Sequence, residues 1–146
     1  PGTILGKNTR NQITDLFDRG FVLGIKGSPT PFVFIWDEDV VGVLRQGTAT
    51  DATGVFNLAG DGAMPLREIA NLLGKPYVDV PASVVKGVLG VLKPLRLTQY
   101  GPEQVDFLRY RPVLSNRRLK EEFGYKPKKT TREVFDFFLE GRRASA

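Results

Sequence analysis

The chain has 146 residues, of which 41% are apolar, and a net charge of +5, so it is long enough to bury the core of one domain. It contains neither cysteine nor histidine. Their absence excludes disulfides, thiolate chemistry, Ser-His-Asp catalysis and His-ligated zinc, and leaves Asp, Glu, Lys, Tyr and Arg for any chemistry. No apolar run reaches the roughly eighteen residues that a membrane span needs, and no secretory or lipidation signal is visible, so a cytoplasmic protein without stable membrane insertion is expected. The cationic surplus is mostly C-terminal: residues 101–146 carry eleven Lys/Arg against seven Asp/Glu.

Thr3, Ile4 and Leu5 read as the end of a strand, and the opening on Pro1 suggests a chain continuing from something upstream. A helix is expected over 8–19, with Ile13, Leu16 and Phe17 at helical spacing and Gly20 as its stop. The runs 21–25 and 31–35 are rich in Phe, Val and Ile and read as strands joined by a turn. Trp36 then leads into a helix carrying Val40, Val41, Val43 and Leu44. Its Asp37, Glu38 and Asp39 suit the positive end of the helix dipole and fan apart too widely to hold a metal.

The stretch 54–74 organises the centre. Val55 to Ala59 reads as a buried strand, Gly60-Asp61-Gly62 as a turn, and Leu66, Ile69, Ala70 and Leu73 as one face of a helix ended by Gly74. A strand followed by Gly-x-Gly and a helix imitates a dinucleotide fingerprint. The third glycine is absent, however, and Asp61 would put a carboxylate where a pyrophosphate should lie. An ordinary crossover is the better reading.

Tyr77 to Val80 reads as a second apolar segment, followed by an amphipathic helix over 82–97 weakened by Gly87 and Gly90, which packs on the core, sits on a membrane or lines a pocket for a greasy substrate. A further short helix is expected over 102–109, and another over 117–123, capped by Ser115 or Asn116 and ended by Gly124. Thr130 and Glu133 form a capping box for a last helix with Val134, Phe137 and Phe138 inward, and 142–146 is expected to fray. Tyr125 and Lys129 have the Tyr-x-x-x-Lys spacing of a catalytic pair, but Pro127 between them breaks the helical geometry that the pair requires.

Four stretches in order resemble the C-terminal portion of extended short-chain dehydrogenases/reductases, the NAD(P)-dependent epimerase/dehydratase family. They are Pro1 to Gly6, Phe34-Ile35-Trp36-Asp37-Glu38-Asp39-Val40-Val41, Val55-Phe56-Asn57-Leu58-Ala59-Gly60 with Pro65-Leu66-Arg67-Glu68-Ile69-Ala70, and Ser115 to Thr131 with Leu119, Gly124-Tyr125 and Pro127. The resemblance implies an α/β fold of a few short strands packed with about five helices. This would be the substrate-binding half of the enzyme, with 1–6 ending the Rossmann part, 1–146 forming one domain and the Rossmann half missing.

It also implies that this portion holds no catalytic residue and no cofactor of its own, NAD or NADP belonging to the intact protein. Its partners would be a small-molecule substrate and the missing half, with a homo-oligomer possible and nucleic acid not expected. Substrate contacts are expected from Thr3 by its place in the family pattern, and from Trp36, Tyr100 and Arg111 by residue type and loop placement. Thr3 stands where the family often has Asn, Trp36 where it has His, and Phe32-Val33 where it has Arg-Asp, which tilts the substrate away from a nucleotide sugar. The alternative is a basic interaction module binding nucleic acid or an anionic surface through Lys126, Lys128, Lys129, Arg132, Arg142 and Arg143.

Overall fold

The structure, a computed structural model, describes residues 1–95, 105–106 and 110–145. In chain order the described elements are β1 (Thr3–Leu5), α1 (Gln12–Asp18), β2 (Val22–Ile25), β3 (Pro31–Phe32), β4 (Phe34–Trp36), α2 (Asp37–Thr48), β5 (Met64–Pro65), α3 (Leu66–Leu72), β6 (Tyr77–Val80), α4 (Ala82–Leu92), α5 (Arg117–Glu121) and α6 (Thr131–Ser145). The fold class is α/β, with short strands and six described helices. The chain divides into two compact units, one of Pro1–Asp15, Phe32–Met64 and Val113–Ala146, the other of Leu16–Pro31 and Pro65–Pro112.

In the first unit β1 and β4 pair in parallel, with Thr3 opposite Phe34, Ile4 opposite Ile35 and Leu5 opposite Trp36. Leu5, Phe34 and Ile35 are fully buried. Strands this short need a cover, and α6 supplies it: Phe135 stacks on Phe34 with ring centroids 5.5 Å apart, and Phe138 lies 6.1 Å from Phe135. Val134, Phe135, Phe138 and Leu139 all face inward, whereas Phe137, expected to do so, is half-buried. The capping box forms as expected. The Thr130 amide donates to Glu133 Oε2 at 2.7 Å and the Glu133 amide to Thr130 Oγ1 at 3.2 Å. The expected frayed tail is instead helical through Ser145. Gly141 sits so close to the backbone of Lys7 that an added Cβ would lie 2.5 Å from the Lys7 carbonyl oxygen, which ties the last turns of α6 down.

Val55 to Ala59 corrects the expectation most clearly, because it joins no strand ladder. Gly54 turns the backbone at φ 139 and Val55 is 81% exposed. Backbone bonds hold the end of the stretch, the Gly2 amide donating to the Leu58 carbonyl at 2.7 Å and the Gly60 amide to the Phe34 carbonyl at 2.8 Å. Side chains hold the rest, Arg118 donating to the Val55 carbonyl and Asn57 to the Ser115 carbonyl, each at 3.2 Å. Phe56 leaves the backbone line to pack on Phe123, 5.1 Å between centroids, beside a small core of Val43, Leu119 and Phe123.

The second unit is built on β2 and β6, parallel from Val22 opposite Tyr77 to Ile25 opposite Val80, with α3 packed against both. The runs 21–25 and 31–35 are therefore not partners. The first pairs with β6, and the second divides at Val33 into β3, which pairs with β5, and β4, which pairs with β1. α3 buries Leu66, Ile69 and Ala70 as expected, and Gly74 adopts φ 65 after it. Lys75 donates from Nζ to the carbonyls of Phe17 and Arg19, closing the open end of α1. The first helix is shorter than expected, since Asn11 Oδ1 accepts from the amides of Ile13 and Thr14 and so starts α1 at Gln12. α4 stops at Leu92 and buries none of its residues fully. Residues 93–95 of its expected length form a turn instead, and 96–97, with most of the helix expected over 102–109, lie outside the described residues.

Gly60 has backbone on both sides: an added Cβ would stand 2.8 Å from the Phe34 carbonyl oxygen and 2.8 Å from the Thr131 nitrogen. Neither neighbour is a movable side chain. Gly60→Ala should destabilise the fold by about 1–3 kcal/mol, read as a lower urea midpoint with an unchanged slope, and Gly87→Ala, which meets open space, should not.

Candidate functional site

The fold places Thr3 and Trp36 on adjoining strands of the first unit. Thr3 is half-buried, and its amide donates to the Val33 carbonyl at 3.1 Å. Trp36 ends β4, and there its ring meets Phe137 of α6 edge-on at 5.7 Å. The Lys129 ammonium lies 4.8 Å from the Trp36 centroid and 5.1 Å from that of Phe137, while Lys7 stands 5.3 Å from Phe137. Among the described residues the buried indole N–H of Trp36 has no hydrogen-bond partner. Arg111 belongs to the second unit, where burial pushes its guanidinium below the ordinary range. Tyr100 lies outside the described residues.

Each unit also carries a shallow depression. One, of about 480 Å³, is lined by Val55, Asn57, Ser115, Arg117 and Arg118, all of the first unit. Arg118 binds Glu122 through two nitrogens at 2.7 Å and donates to the Val55 carbonyl at 3.2 Å, so its charge is already matched. The other, of about 340 Å³ in the second unit, gathers Arg67, Tyr77 and Asp79. Arg67 pairs with Asp79 at 2.7 Å and covers the Tyr77 ring at 4.5 Å. Burial, then the Asp79 charge, pushes the Tyr77 phenol up.

The two imitations of catalytic motifs resolve into structural ties. In the Gly60-Asp61-Gly62 turn, the Gly60 amide donates to Phe34, the Asp61 carbonyl accepts the Thr131 amide at 2.8 Å, and the Gly60 and Gly62 carbonyls accept Thr131 Oγ1 at 3.3 and 2.9 Å. Asp61 Oδ1 accepts from Lys120 and, at 2.9 Å, from Asn116. The hydrogen bond from Lys120 leads in holding this carboxyl below its usual range. A loop so occupied, with a carboxylate at its tip, does not fit a dinucleotide pyrophosphate. Asn116 accordingly serves the turn and gives α5 no side-chain cap.

The second imitation ends at Asp39. Its carboxylate is fully buried, accepts the Tyr125 hydroxyl at 2.9 Å, and accepts the Lys128 amide through both oxygens at 3.0 Å. Gly42 leaves the room that Tyr125 occupies. Burial first, then Asp39, pushes the Tyr125 phenol up to about 12, the reverse of what an acid–base tyrosine needs. Sequence reasoning treated Asp39 as one of three dipole acids. Its signal was present, because Asp39 and the buried Val43 stand four residues apart on one helix face. Among the cations of the basic alternative, Arg132 pairs with Asp136 at 3.0 Å and Lys129 lies over the rings.

No family model matches the chain. Uncharacterised proteins of Mycobacterium tuberculosis and Mycobacterium bovis are 30% identical to it over 140 residues, covering 90% of this chain and 37% of theirs. The chain thus spans little more than a third of the relatives it matches. Among solved structures, the gox2253 protein superposes with a TM-score of 0.71 at 14% identity, over all of this chain and 48% of its own. UDP-glucose 4-epimerase of Thermotoga maritima, solved with UDP-glucose, gives 0.63 at 15% over 99% and 44%. The enzyme WbmG of Bordetella bronchiseptica, solved with NAD and UDP, gives 0.60 at 15% over 98% and 41%. At these identities the likeness shows the fold: the chain has the architecture of somewhat under half of each of these larger proteins.

Tyr125 donates to Asp39 only while protonated. Because its folded value is raised, its contribution to stability is whole below about pH 10, the ordinary phenol value, and is lost as pH rises through about 12. Tyr125→Phe should remove a late step from the alkaline phenolate titration. It should also lower neutral-pH stability by about 1–2 kcal/mol in a urea titration.

Proposed function

We propose that the chain is the substrate-binding portion of an NAD(P)-dependent epimerase, dehydratase or dehydrogenase, and that it does not catalyse alone. The observation that carries this reading is the superposition of essentially the whole chain on somewhat under half of such enzymes. The occupied Gly60-Asp61-Gly62 turn and the upshifted Tyr125 support it, since neither serves a nicotinamide cofactor or an acid–base step. Cofactor chemistry would then belong to the remaining length of the longer protein.

Within this portion Thr3 and Trp36 contribute substrate contacts, backed by Phe137, Lys129 and Lys7. Phe32, standing where a diphosphate-binding Arg is usual in the family it resembles, is buried at 6.0 Å from Phe34 and presents no cation. This favours a substrate less polar than a nucleotide sugar.

Calorimetric titration of the 146-residue chain with NAD and with NADP tests the proposal: neither should bind measurably, and micromolar affinity for either would overturn it. Trp36 is the single tryptophan. Its emission should therefore respond to a bound substrate directly, and Lys129→Ala should change that response while leaving the thermal midpoint within a few degrees.

A further inference from the structure

We draw no further inference here: the strongest candidate, the exposed apolar face that Val84, Val88 and Val91 form on α4, carries nothing, because residues of its own unit lie outside those described and nothing in the structure shows what covers it.

Discussion

The Thr131 junction is the constraint on which the first unit depends. One buried side chain and its own amide bind the turn at Gly60-Asp61-Gly62, while Gly60 donates to Phe34 in β4. Three segments far apart in sequence thereby meet without a ladder between them. The capping box one residue earlier fixes where α6 begins, and so fixes the direction in which the Thr131 amide and hydroxyl point. A side chain at position 60 would separate the two backbones; glycine is required there for close approach, with no call for a positive φ.

The same accounting of donors and acceptors distinguishes resemblance to a site from a site. A nucleotide-binding turn must leave its amides free to face an anion, yet here the Gly60 amide is already satisfied within the protein and the turn's carbonyls are the groups that face a partner. Asp39 does the equivalent for the loop after α5. Three hydrogen bonds converge on one buried carboxylate, so an acid that composition assigns to the helix dipole instead fastens the Tyr125 to Lys128 segment. Burial first, and then the Asp39 carboxylate to which it donates, raise the Tyr125 phenol, and a catalytic tyrosine needs the opposite environment.

What could be read from the sequence was local. The helix α3 with Gly74 behind it, the Thr130–Glu133 box and Gly124 as the end of α5 all follow from interactions a few residues long. Thr3 was singled out by its place in a family pattern and Trp36 by residue type, and only the β1–β4 pairing puts the strands that carry them side by side. The failures are non-local. Whether 21–25 pairs with 31–35 or with 77–80 depends on parallel partners about fifty residues away, which periodicity does not encode. Val55 to Ala59 has the composition of a strand, but Gly54 and the Gly60 junction bend it away from a ladder. Phe137 and Lys7 join Trp36 only through the seating of α6, and no spacing rule announces that.

Each unit is closed by a parallel pair that is too short to stand alone. Joining β2 to β6 closes a loop of about fifty residues and joining β1 to β4 one of about thirty, at a cost of about 3 kcal/mol of chain entropy each. Two-stranded ladders of three or four residues do not offset that, so each pair persists only with a helix laid over it. In the first unit α6 brings four buried side chains and the Thr131 junction; in the second α3 brings Leu66, Ile69 and Ala70. α4 is outside this requirement. It rests on its own unit through half-buried residues and leaves Val84, Val88 and Val91 exposed. The architecture of each unit therefore depends on its parallel pair and the helix that covers it, α6 in the first and α3 in the second, and not on α4.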